Sequence, residues 1–268
     1  MTQDPQKLAR LGLVNPKHFD ANYLKRSCTL NNDEPNAVKT GRYSVPAGLC
    51  EKMVECSAEQ KPIVLLAMLL DELNDSGKDE SGSASLSIVF TSSVDSTHRL
   101  CRLLQLLWEA GGFGKSSAIA EFSSSINAKQ RAAVLRRCRS SDPSNRVSVL
   151  VCSDGMSRGM DLPYVGRVIN YDVPAYAKTY VHRCGRTARA GRTGMAISVL
   201  KGGQVSKFNR LRKLIDGGRV ERMGIKKHLV KNVIPTYKAC VNALQRIIEA
   251  EENEELLPSD SLKVGDWL

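Results

Sequence analysis

The 268-residue sequence predicts an α/β fold, a parallel β-sheet flanked by helices. Three observations carry that expectation. From residue 47 on, segments with helical apolar spacing alternate with short apolar segments of strand length. Val147–Cys152 is rich in β-branched and apolar residues, as a strand covered on both faces is. The polar stretch Ser153–Asp161 follows the Val147–Cys152 segment and Asp172 follows the next, and open α/β sheets bind ligands beyond the carboxyl ends of their strands.

Residues 1–46 show little periodicity, and turn-forming residues dominate Asn31–Gly41, which reads as a linker. Lys61–Leu73 is an apolar helix begun near Pro62, a first-turn position suited to proline. The Ser/Gly/Asp-rich stretch Asn74–Ser85 reads as a flexible loop before the strand Leu86–Phe90. In Val94–Ala110, Leu100, Leu103, Leu104, Leu107 and Trp108 form one helical stripe. Ser117–Phe122 is strand-like, and Asn127 caps a helix running to Arg139. Val147–Cys152, Val165–Tyr171 and Met195–Leu200 are further strands, and Gln204–Ile215 and Pro235–Ala250 two more helices. Strands alternating with helices imply parallel pairing through crossovers. The expected organisation is a linker (1–46), the α/β domain (47–218) and a C-terminal extension with an acidic tail (219–268).

The net charge of +11 is unevenly placed. Glu249–Leu268 holds seven acids and one lysine, which leaves 38 bases against 21 acids, +17, on residues 1–248. A basic body suits a polyanionic partner, although excess Lys and Arg also serves solubility. No run approaches the roughly 20 apolar residues of a membrane span, and no apolar signal region opens the chain. Eight cysteines without a C-x-x-C pair argue against a zinc site or disulfide framework. Gly114-Lys115-Ser116 mimics the end of a P-loop, but Glu109 stands where that motif needs glycine.

Tyr180–Arg189 packs His182, Arg183, Arg186 and Arg189 into ten residues. On one helix, Arg183 and Arg186, then Arg186 and Arg189, lie a turn apart and share a face. Guanidiniums so crowded suit phosphate, with a solvated basic face as the alternative. Gly185 within the cluster is costly in a helix and reads as a place of close approach. For Asp154 and Asp161, helix capping accounts for the spacing as well as ligand binding does.

His182-Arg-Cys-Gly-Arg-Thr-Ala-Arg189 resembles motif VI, H-R-x-G-R-x-x-R, of the DEAD-box RNA helicases. Ser87–Ser93 resembles motif IV of that family, and Ser153–Asp161 resembles motif V with Ser153 in a threonine's place. Order and spacing agree from Ser87 to Arg189. The resemblance implies the second RecA-like domain of an ATP-dependent RNA helicase. It implies a nucleotide site of ATP and Mg²⁺, bound mainly by a first RecA-like domain expected before Met1. The family's P-loop and D-E-A-D sequence do not occur in these 268 residues.

By the same resemblance Arg186 and Arg189 are arginine fingers, and Gly159 and Asp161 belong to the ATP site, with Asp161 on the ribose. His182 and Arg183 couple nucleotide state to domain closure. Thr91, Arg131, Ser153 and Arg158 face the RNA backbone. The chain departs from the pattern at Ala128, where the family has glutamine, and at Ser124-Ser125, where a Gly-Asp pair is common. Glu121–Ser125 resembles the subgroup implicated in large ribosomal subunit assembly. That implies pre-ribosomal particles as partners and a nuclear, nucleolar location, with a cytoplasmic one as the alternative. The rival reading is a binding module, a truncated product that holds RNA or protein without catalysis. The runs Arg136, Arg137, Arg139 and Lys226, Lys227, Lys231 read as solvated faces or as extensions of an RNA track.

Overall fold

The computed structural model describes residues 43–74, 86–156, 162 and 165–253. Seven strands form one all-parallel sheet. In chain order the elements are β1 (Tyr43–Ser44), β2 (Leu49–Cys56), α1 (Lys61–Asn74), β3 (Leu86–Thr91), α2 (Val94–Ala110), β4 (Ile119–Phe122), α3 (Ala128–Cys138), β5 (Val149–Ser153), β6 (Val165–Asn170), α4 (Ala177–Cys184), β7 (Gly194–Lys201), α5 (Gln204–Arg212), β8 (Ile215–Asp216), β9 (Glu221–Arg222) and α6 (Lys227–Glu252). The sheet runs β4-β5-β3-β6-β7-β2-β9, and β1 pairs with β8 in a separate parallel ribbon.

The strand period of two divides the core. Val89, Val151, Ile169, Ile197 and Val199 point to one face, where α1, α2 and α6 pack on them. Ile88, Phe90, Leu150, Cys152 and Val168 point to the other, beneath α3. Ala196 and Leu200 meet α4 and α5 there. β3 and β5 are buried along their whole lengths, as the apolar sequences require.

α2 has the predicted bounds: Ser93 caps it by accepting from the Ser96 amide, and its stripe is buried. Asn127 caps α3 in a reciprocal capping box with Gln130. Three boundaries differ from the expectation. A 3₁₀ turn, Ser116–Ala118, precedes β4. α5 stops at Arg212, and Ile215 pairs with Tyr43 instead. α6 begins at Lys227 and carries Pro235 inside it. An internal proline loses a helical hydrogen bond and costs about 3 kcal/mol. Here Val233, Cys240, Ala243 and Ile247 bury the helix in the main core, which offsets that cost. The alternating strand β2 and the short β1, β8 and β9 had no counterpart among the predicted elements. The loop expected before Leu86 lies outside the described residues.

Candidate functional site at the carboxyl edge of the sheet

Phe122, Cys152, Phe90, Asn170 and Ser198 stand in register across five strands. The residues that follow them therefore emerge along one edge: Ser123 after β4, Ser153 and Asp154 after β5, Thr91 and Ser92 around the end of β3, and Asp172 after β6. Parallel pairing brings these distant segments together.

Arg183 is the hub of this edge. It is 1% exposed, the largest side chain buried so deeply. Its Nε and one Nη donate to the two Asp154 carboxylate oxygens at 2.5 and 2.8 Å. The other Nη donates to the Asn170 side chain and the Asp172 carbonyl, and the guanidinium lies 5.0 Å from the centre of the Phe90 ring. One cation thus ties the ends of β3, β5 and β6 together. The expectation that Arg183 shares an exposed face with the other arginines is corrected: α4 turns its Arg183 side into the core. Asp154 is a partner of that cation.

Asp172 makes a second anchor. It accepts from Lys61 Nζ at 2.8 Å and from the amide and hydroxyl of Ser92 at 3.0 and 3.1 Å. Burial raises its pKa, but Lys61 and Ser92 outweigh burial and hold it below the ordinary value. The Lys61 ammonium also sits over the Tyr171 ring, 4.2 Å from its centre. Spacing could not reveal this pair, because 111 residues separate its members.

α4 ends at Cys184, so Arg186 and Arg189 leave the helix and lie on the turn beyond it. The helical face expected for them is replaced by a pair of matching side chains. Arg186 Nε donates to the His182 carbonyl at 3.3 Å, and Arg189 Nε to the Gly185 carbonyl at 2.6 Å. Gly185 caps the helix. A side chain there would press on the Val181 carbonyl, 3.1 Å from a Cβ, so the close approach is to its own helix. Ala188 and Ala190 flank Arg189 with φ of 54° and 53°. Left-handed alanines cost on the order of 1–2 kcal/mol each, and such strain clusters at functional sites. Thr187 pins the turn by donating to the Val165 and Gly166 carbonyls. Gly194 lets it sit close, since a Cβ there would fall 2.1 Å from Thr187 Oγ1.

Arg186 is half-buried, and its pKa lies below the ordinary value, first from burial and then from the charge of Arg189. Burial and the charge of Arg189 both work against the Arg186 cation, which stays charged, and a nearby anion would favour it. His182 is exposed in the last turn of α4.

Two residues expected to face the RNA backbone are buried here. Thr91 is fully buried, and its hydroxyl meets Thr97 Oγ1 at 2.6 Å inside the molecule. Ser153 is 6% exposed beside it, in register. Both side chains are turned inward, while Ser92 and Ser93, beyond the end of β3, lie at the surface. Arg131, half-buried in the first turn of α3, donates to the Ile126 carbonyl and braces the loop before the helix. Arg158, Gly159 and Asp161 lie outside the described residues.

At the β4 end of the edge, Glu121 takes the place of a simple loop residue. It accepts from the hydroxyls of Ser123 and Ser125 through one oxygen, and the other oxygen meets His98 Nδ1 at 2.8 Å. His98 Nε2 meets Glu251 of α6 at 2.7 Å. Neither His98 nor Glu251 stands out in the sequence, since their contacts span 23 and 153 residues.

Residues 64–191 match the helicase conserved C-terminal domain. The chain is 32% identical over 254 residues to human ATP-dependent RNA helicase DDX51, covering 95% of this chain and 34% of that protein. It therefore spans about a third of that relative's length. Among solved structures, it resembles the E. coli DEAD-box protein SrmB, bound to regulator of ribonuclease activity A, at 28% identity and a TM-score of 0.51, over 68% of this chain and 93% of that one. It shares the fold of the second DEAD-box helicase domain of Mss116p, bound to an RNA duplex, at 22% identity and a TM-score of 0.53, over 73% and 79% of the two chains.

Proposed function

We propose, from the premise that this chain carries the helicase conserved C-terminal domain of the DEAD-box RNA helicases, that it is the half of an ATP-dependent RNA helicase that supplies two arginines to the ATP γ-phosphate. The carrying observation is the Arg186–Arg189 pair, two cations on one strained turn, each guanidinium held by a backbone carbonyl of α4 or its cap. That charge pattern fits a phosphoryl group. Bound ATP would supply the anhydride bond whose hydrolysis drives the cycle.

In this reading Arg186 and Arg189 bind and orient the terminal phosphate, presented by a first RecA-like domain. They act most strongly on the charge that grows as the phosphoryl group transfers. Arg183 acts indirectly, by keeping the ends of β3, β5 and β6 in one frame on which the arginine turn rests. Among the described residues no group of three metal-ligating side chains comes together. By the family resemblance Mg²⁺ is assigned to the first RecA-like domain, whose P-loop and acidic motif do not occur in this sequence.

RNA is assigned to the same edge of the sheet, between the Ser92 loop and the start of α3. Exposed serines, Arg131 and the basic body would meet backbone phosphates with little base selectivity. The RNA-duplex complex of the Mss116p domain, which shares this fold, supports that assignment. Pre-ribosomal particles are the proposed setting and the nucleus the proposed location.

The test is steady-state ATPase at saturating RNA on a protein joining this chain to a first RecA-like domain. Arg186→Ala and Arg189→Ala are each expected to lower kcat by about two orders of magnitude or more. Near-normal kcat in both would reduce the pair to a basic surface.

A further inference from the structure

The cluster around His98 joins three elements that are distant in sequence. His98 and Arg102 come from α2, Glu121 from β4, and Glu251 from the last turn of α6. His98 meets Glu121 at 2.8 Å and Glu251 at 2.7 Å, one through each ring nitrogen. Arg102 donates to the remaining oxygen of Glu251 at 2.7 Å. The other oxygen of Glu121 holds the hydroxyls of Ser123 and Ser125, and the Ser125 amide donates to Ser123 Oγ at 3.2 Å. The Ser123–Ser125 loop is therefore shaped by a carboxylate that a histidine orients, and that histidine is held by a second carboxylate on the C-terminal helix.

The donor count fixes the state of the ring. A carboxylate only accepts, and a neutral imidazole offers a single N–H. Both contacts are hydrogen bonds only when both nitrogens carry protons. Two cations, His98 and Arg102, then face two carboxylates, and the cluster is neutral. The neighbouring charges agree: the hydrogen bonds to Glu121 and then Glu251 lift the His98 pKa to about 9, against the opposing effect of burial. On Glu121, burial pushes the pKa up, and His98, Ser123 and Ser125 together more than reverse it. The buried Cys101 thiol beside them is pushed far up by burial and is uncharged. The exposed Asp95–Arg99 pair lies on the same helix.

We infer that His98 is a positioning residue for RNA binding, which clamps the Ser123–Ser125 loop to the end of α6 through Glu121 and Glu251. This rests on the reading of the carboxyl edge as the RNA surface. The loop runs from β4 into the capped start of α3, with Ser124 and Ser125 exposed and Arg131 one turn on. Its Ser123 and Ser125 hydroxyls donate to Glu121, and the Ser125 amide donates to Ser123 Oγ. Glu251 holds the ring nitrogen opposite the one that meets Glu121, and so bears on whether His98 can hold Glu121 in place. The C-terminal helix thereby acquires influence over a phosphate-facing loop.

The test uses the whole chain and a fluorescent oligoadenylate, whose bases do not ionise near pH 9. Glu251→Ala and His98→Gln are expected to weaken binding about fivefold, while Glu249→Gln on the same turn leaves it unchanged. Wild-type affinity should fall as pH rises through about 9, the value the clamp gives His98, and Glu251→Ala should lower that midpoint. Circular dichroism confirms that each variant is folded. Wild-type affinity in both variants, with wild-type RNA binding intact, would overturn the inference. Absence of wild-type RNA binding would instead overturn the RNA reading. The clamp is then judged on the RNA-free protein by ¹H–¹⁵N shifts: Glu251→Ala should move the Ser123–Asn127 amides, and unmoved amides would sink it.

Discussion

Arg183 and Asp154 form a bidentate ion pair in which the guanidinium is 1% exposed and the carboxylate lies at the rim. The pair separates two kinds of arginine within one short segment. Arg183 serves the frame of the sheet edge, and Arg186 and Arg189 face outward from it. Removing one partner of a buried pair leaves an uncompensated charge, which costs roughly 3–5 kcal/mol. Asp154→Asn, which leaves the buried Arg183 guanidinium without its carboxylate, is expected to lose stability of up to that order, and Arg183→Ala to destabilise as well through the contacts to Asn170 and Asp172 it removes and the space it leaves. Arg186→Ala and Arg189→Ala should stay within about 0.5 kcal/mol of the parent. Urea denaturation of the four variants checks the division. Equal effects from Arg183 and Arg186 would mean that the two arginines are not distinct in kind.

The histidine clamp gives stability a dependence on alkaline pH. The folded-state pKa of His98, about 9, lies above the ordinary 6.5. A raised histidine contributes fully below pH 6.5, and its contribution disappears as pH rises through about 9. The urea midpoint should therefore decline between pH 7 and pH 9.5. That slope should flatten in His98→Gln. A parallel decline in parent and variant would show that other groups cause it.

This chain by itself is expected to show no RNA-stimulated ATPase activity. Its sequence contains neither a complete P-loop nor a D-E-A-D motif, and two arginines cannot replace the contacts to the β- and γ-phosphates. Turnover above a buffer blank that disappears in Arg189→Ala would contradict the reading.

In the two-domain protein, Arg186→Lys and Arg189→Lys should fail to restore activity. An ammonium is a point charge and lacks the planar fork that meets phosphate oxygens two at a time. The loss should fall on kcat more than on KM for ATP, because the interaction strengthens in the transition state. A normal kcat in the lysine variants would show that charge alone suffices.

RNA affinity of the whole chain should fall steeply with salt, as the +17 carried by residues 1–248 predicts. Arg131→Ala tests whether that side chain reaches RNA or only braces its own loop through the Ile126 carbonyl. A direct contact predicts that the slope of log affinity against log salt shrinks by about one phosphate equivalent. An unchanged slope with weaker binding assigns Arg131 to the loop.

Much of this architecture is local and therefore legible in the linear chain. The stripe of α2, the caps Ser93 and Asn127 and the apolar strands β3 and β5 depend on spacings of two to four residues, and those spacings are visible in sequence. Motif order was legible for the same reason, and it pointed to the family on its own. Parallel pairing then decided what spacing cannot express. It set Thr91 beside Ser153 with both side chains turned inward, and it brought Asp154 to Arg183 and Lys61 to Asp172. α4 ends at Cys184 with Gly185 as its cap, which parts Arg183 from Arg186 and Arg189 although their spacing suits one helix face. A side chain's direction follows from which strand and helix ends meet, and that is settled by burial of the whole sheet. His98 between Glu121 and Glu251 is the extreme case, three ordinary residues made into one charged unit only by the packing of α6 on α2.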